Sequence, residues 1–189
     1  MTDPPEPAPG RPISLGRETD LADAATLLTV LLAVREASAR DRTGVRAVLR
    51  PALWAVWEQP RLPRPLVSGR YPTPYPWSPR ARSVYRARSG RGPWGKALVL
   101  EHLVPIRLVL DDLLTAADTL APASLVTMLE ECLCGAVVSR HEDEVLTQRG
   151  LRHHMAIVGR PTDPWARYRW TGIGPDGFRP LTAVTSPDS

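Results

Sequence analysis

Residues 98–106 read LVLEHLVPI, and inside that apolar run Glu101 and His102 set an acid directly beside a base, with Pro105 closing the segment. A positioned carboxylate and imidazole are the groups that move protons in general acid–base chemistry. A second polar group, SRHEDEVL, brings His141, Glu142, Asp143 and Glu144 about forty residues downstream. Acidic residues there are also what an ordinary helix start uses to meet its macrodipole. Cys132 and Cys134 with His141, His153 and His154 supply the ligand types of a zinc site. A CxC pair departs from the CxxC or wider turns of structural zinc, so buried, reduced thiols are the expectation. GxxxxGK[ST] and GxSxG are missing, which leaves the P-loop phosphate cradle and the serine-hydrolase elbow without support.

The elements that must position Glu101 and His102 follow from pattern. KALVLEHLV is β-branched and leucine-rich, as a strand requires, and Pro105 can open a helix through IRLVLDDLLTAADTL with Ile106, Val109, Leu110, Leu113, Leu114 and Leu120 on its buried side. The acid and base therefore sit at a strand-to-helix junction, where side chains project beyond a fixed backbone. PASLVTMLEECL reads as a helix, CGAVVS as a second strand and HEDEVLTQRG as the start of another helix. Upstream, TDLADAATLLTVLLAVREASAR is a helix that Thr19 or Asp20 can cap, and GVRAVLRPALWAVWEQP is expected as two short helices divided at Pro51.

From Pro60 to Pro79 the chain has seven prolines, so no regular element is expected to persist there. This connector is expected to wrap a domain surface with Tyr71, Tyr75 and Trp77 as anchors; the alternative is a polyproline ligand for a protein partner. DPWARYRWTGI reads as a late strand or loop that docks the tail through Trp165 or Trp170, or that offers Arg167, Tyr168 and Arg169 as a stacking and phosphate-contacting surface. The expected architecture is α+β: one mainly helical domain over residues 18–180 with a two- or three-stranded sheet, a basic connector over 60–95, a disordered leader over 1–17 and a disordered tail over 181–189.

Charge is segregated along this frame. Residues 37–100 hold thirteen cations against Asp41 and Glu58, a net +11, while residues 1–36 carry −3 and residues 101–189 carry −4. Twenty-three of the 24 basic residues are Arg and the chain has no Asn, a skew that gene composition alone can impose, so placement says more than abundance. A local excess of this size is the footprint of a polyanion-binding surface. Arg80, Arg82, Arg86, Arg88, Arg91 and Lys96 are its densest part, with Tyr85 and Trp94 placed to stack on bases. Nucleic acid is the expected partner, DNA ahead of RNA; the alternative is that these arginines pair with the acidic flanks. No run approaches the 18 to 20 apolar residues of a membrane span, and MTDPPEPAPGRP lacks the basic start and apolar stretch of a secretory signal, so the expected location is cytoplasmic, away from membranes.

EHLVP also resembles the first signature of the HNH, or His-Me finger, endonucleases, in which an acidic residue or His, then His, two apolar residues and Pro mark the first strand of a ββα metal site. The resemblance spans about residues 96–150. It implies His102 as the general base that activates water and Glu101 as a ligand of one divalent metal, Mg²⁺ or Mn²⁺. It implies a further ligand near the finger helix, His141 first and Glu142 or Asp143 next, since oxygen ligands suit those ions. The middle Asn of that signature and the paired CxxC knuckles of many members have no counterpart here. Three functions follow as expectations: a metal-dependent endonuclease, a non-catalytic nucleic-acid binder, or a protein-interaction or regulatory module. For His102 the alternative is a strand-end imidazole packed or ion-paired to Glu101.

Overall fold

A computed structural model describes residues 8–37, 42–88, 93–155 and 163–181. Helix α1 (Arg17–Ala37) starts two residues before the expected Thr19 cap, because Gly16 turns the chain at φ +105° and its carbonyl accepts the Asp20 N–H. Asp20 works behind that start, taking hydrogen bonds from the Ser14 hydroxyl and the Leu15 N–H. Helix α2 (Arg42–Leu53) runs through Pro51 without the expected break. It then widens into a π-helical turn over Trp54–Glu58, where the Gln59 N–H reaches back to Trp54 O, before a 3₁₀ turn at Gln59–Arg61 ends it. Such single π turns in a helix concentrate at functional sites.

The connector is more regular than its prolines suggest. β1 (Leu66–Val67) and β2 (Tyr71–Pro72) form a small hairpin, and α3 (Pro79–Ala87) begins where Ser78 accepts from the Ala81 N–H and Pro79 fills the first helical position, which needs no donor. Tyr71, Tyr75 and Trp77 are all buried, so the rings anchor the connector to the body of the fold as expected. β3 (Leu98–His102), α4 (Ile106–Ala116), α5 (Pro122–Cys132), β4 (Gly135–Ser139), α6 (Arg140–Gln148) and α7 (Ala166–Trp170) complete the chain. The architecture is α+β and mainly helical, with two antiparallel two-stranded sheets among the described residues.

Three apolar clusters hold these elements. Leu27, Leu28 and Leu31 of α1 meet Leu49, Val109, Leu110, Leu125 and Leu129 from α2, α4 and α5 in a four-helix layer. The β3–β4 ribbon divides the other two. Alternation along β4 sends Ala136 and Val138 toward Leu146, Trp165, Tyr168 and Phe178, and Val137 toward Trp77, Ala81, Trp94 and Leu98. The chain at Trp77 lies along the free edge of β4: Val137 N–H donates to Pro76 O, Ser78 N–H donates to Val137 O, and Trp77 exchanges backbone hydrogen bonds with Arg179 on its other side.

The described part of the expected leader is structured. Gly10 and Gly135 exchange backbone hydrogen bonds, and a Cβ on Gly10 would stand 2.4 Å from the Tyr75 ring, so only glycine fits. Residues 1–7 of that leader and 182–189 of the expected tail lie outside the described residues, while Leu181 is buried. The expected late strand or loop at Trp165 is instead helix α7, because the Asp163 carboxylate accepts the Trp165 N–H and Trp165, Tyr168 and Phe178 pack edge-to-face.

Candidate functional site

β3 pairs with β4 in the register Glu101 with Ala136 and His102 with Gly135. Consecutive strand residues point to opposite faces, so the adjacent acid and base serve different sides of the ribbon, and Glu101 acts on His102 only through its charge, after Glu58.

Glu101 faces α7. Its carboxylate takes Arg167 Nη2 at 2.5 Å, and the same guanidinium donates to Leu103 O at 3.1 Å, to Leu151 O at 3.1 Å and to His102 O. Arg167 is fully buried and Glu101 partly so. A cation that deep is tolerable only with its charge and N–H groups satisfied, and Glu101 with three carbonyls does this. The pair ties the end of β3 to α7. The stacking and phosphate role considered for Arg167 and Tyr168 does not fit, since both are buried, whereas Trp170 lies exposed.

His102 faces the other way. Its Nε2 lies 2.5 Å from a carboxylate oxygen of Glu58, which the π turn after α2 carries inward. Burial disfavours a charged imidazole here, but the Glu58 carboxylate outweighs it, so the His102 pKa is held above the ordinary histidine value. The expected alternative of an ion-paired His102 is realised, with Glu58 in place of Glu101. Both partners line a cleft of about 460 Å³ whose other walls include Arg50, Trp54, Gly69, Arg70 and Leu100. The sequence signal for Glu58 was present: it and Asp41 are the only acids among thirteen cations between residues 37 and 100.

The residues that the HNH resemblance implies as metal ligands are not brought together. Glu142 closes a capping box at the start of α6, where one carboxylate oxygen accepts from Ser139 N at 2.8 Å, Ser139 Oγ at 2.7 Å and Ser78 Oγ at 2.7 Å. Asp143 pairs with Arg140 at 3.3 Å, Glu101 is held by Arg167, and His141 is exposed. Among the described residues no group of three or more His, Cys, Asp or Glu is placed to hold a metal ion. These carboxylates do not fit the Mg²⁺ or Mn²⁺ role, because their oxygens already serve as caps and ion-pair partners. Cys132 and Cys134 are buried without a disulfide, and burial pushes the Cys134 thiol up to about 11, away from the thiolate that zinc requires.

The arginines of the basic segment divide into two kinds. Arg61 is fully buried, stacks 3.9 Å over the Trp57 ring and pairs with Asp20 at 2.6 Å and Asp23 at 2.7 Å; Arg46 pairs with Asp111. These do neutralise the acidic flanks. Arg80, Arg82, Arg86 and Arg88 on and after α3, with Lys96, have no carboxylate partner among the described residues. Arg82 donates to Gly177 O at 2.9 Å, and burial, followed by the charges of Arg86 and Arg179, holds its pKa down. Tyr85 is half-buried between Trp77 and Trp94, and Trp94 is itself buried, so neither ring is presented as an open stacking platform. Arg91, expected in this group, lies outside the described residues.

No protein-family model matches this chain, and no curated protein or solved structure matches it either.

Proposed function

We propose that this protein binds nucleic acid through the arginines on and after α3, with Arg80, Arg82, Arg86 and Arg88 and the neighbouring Lys96 and Arg179 contacting the phosphate backbone. One observation carries the reading: Arg82 stands beside Arg86 and Arg179 with no carboxylate to offset them. Like charges one helical turn apart are unfavourable by themselves, and a polyanion relieves that repulsion while releasing its own counterions. Asp111, Asp20 and Asp23 neutralise Arg46 and Arg61 of the basic segment and are not paired with the α3 arginines. Contacts of this kind fix position on the backbone and read no sequence, so binding is expected to be sequence-tolerant.

Fluorescence anisotropy with duplex DNA, single-stranded DNA and RNA, across salt from about 50 to 200 mM, tests this. Wild type is expected to bind with a steep salt slope, made shallower by about 0.9 per lost contact on duplex DNA in the Arg80→Gln/Arg86→Gln/Arg88→Gln variant. Binding with an unchanged slope, or none at low salt, sinks the reading. Cleavage of the bound strand is the second reading, favoured by the carboxylate that orients His102. Plasmid nicking that a folded His102→Ala variant loses, assayed with Mg²⁺, Mn²⁺ or EDTA, supports it; nicking retained by that variant, or absent throughout, removes it.

A further inference from the structure

The cleft at the end of β3 has a composition that a purely structural ion pair does not need. Arg50 and Arg70 stand at its walls, both exposed, and neither has a carboxylate partner among the described residues. The Arg70 guanidinium lies 5.9 Å from the centre of the Trp54 ring, which is half-buried and also lines the cleft. The hairpin between β1 and β2 holds Arg70 there through a tight turn: Ser68 at φ +53° and Gly69 at φ +67° are both left-handed, and the Arg70 N–H bonds Val67 O at 3.2 Å. That turn type matches the strand twist but usually requires Asn or Gly at its first central position, so Ser68 holds a conformation its side chain does not favour. From below, the π turn aims Glu58 at His102, 44 residues away in sequence.

We propose that this cleft is a binding site for a phosphate-bearing small molecule of about one nucleotide's size, with Arg50 and Arg70 taking the phosphate and Trp54 flanking the attached group. Charge decides the class of ligand. Arg50 and Arg70 bring two positive charges to the cleft against the one negative charge of Glu58, which His102 offsets when protonated; a phosphate monoester balances that positive surplus and a neutral ligand does not. Size agrees, since about 460 Å³ falls in the range of small-molecule sites and is far too little for a folded partner. The aromatic wall argues for a planar group on the phosphate, which Trp54 can cover on one side. The site uses none of the α3 cations and does not depend on nucleic acid being bound or cut.

Isothermal titration of the full chain with AMP, ribose 5-phosphate, inorganic phosphate and adenosine distinguishes the contributions. AMP is expected to bind tightest and adenosine not measurably. Arg70→Gln, an exposed change that leaves the fold intact, is expected to weaken AMP at least about tenfold, and Arg50→Gln similarly. The Arg80→Gln/Arg86→Gln/Arg88→Gln variant is expected to bind AMP like wild type, which separates this site from the α3 arginines. Equal binding of adenosine and AMP, no heat with any phosphate compound at millimolar concentration, or AMP affinity unchanged in both Arg50→Gln and Arg70→Gln overturns the proposal.

Discussion

Glu101 and His102 are neighbours in sequence and belong to opposite kinds of environment. On the α7 side, Arg167 is fully buried and its guanidinium is met by a carboxylate and three carbonyls, so the Glu101 pair is a sealed joint. On the α2 side, the His102–Glu58 pair is equally short but opens on a cleft whose walls hold two arginines with no carboxylate partner among the described residues. Two ion pairs of similar geometry thus differ in what surrounds them, and the surroundings separate a joint from a site. A short polar contact is evidence of function only when space and unsatisfied chemistry lie next to it.

The comparison breaks most visibly at the sealed pair. Arg167→Met is expected to destabilise the fold by about 3 kcal/mol, because it leaves the partly buried Glu101 carboxylate and three carbonyls without their donor. Urea unfolding measures this, and the double variant Arg167→Met/Glu101→Gln should recover part of the loss. A loss under about 1 kcal/mol would show that the joint is no more than a surface pair.

The open pair should respond less and in a pH-dependent way. The folded pKa of His102 is raised, so its pairing with Glu58 contributes fully below the unfolded histidine pKa of about 6.5 and fades as pH rises through the folded pKa. Glu58→Gln is expected to cost about 2 kcal/mol near pH 6. The gap should narrow by about pH 9, and the His102 titration followed by NMR should move down toward the ordinary value. A penalty independent of pH would mean that Glu58 matters for packing and not for charge.

Much of the frame was legible in the sequence, because apolar runs and helix starts are local. The two ribbon strands, α4, α5 and α6 follow from leucine and valine spacing, and the same period of two already implies that Glu101 and His102 face apart. Asp163 and Pro164 are ordinary helix-start residues, so α7 was readable where a strand or loop was expected. The two partnerships that define the site were not readable. Arg167 lies 66 residues from Glu101 and Glu58 lies 44 from His102, and no local pattern encodes which distant group will meet a strand end. The π turn that aims Glu58 also has no residue signature: Pro51 suggested a break, and the chain widened three residues later.

The double attachment of Trp77 has a consequence in time. Its backbone joins β4 at Val137 and Arg179 at the opposite edge, partners 60 and 102 residues further along. As the chain leaves the ribosome, the four-helix layer of α1, α2, α4 and α5 can assemble early. The connector's rings gain Val137 and Gly135 only once β4 has been made, and the last backbone bonds of Trp77 wait for residue 179. Until then Tyr71, Tyr75 and Trp77 are apolar groups short of their partners on a nascent chain, the kind of surface that favours aggregation before folding is complete.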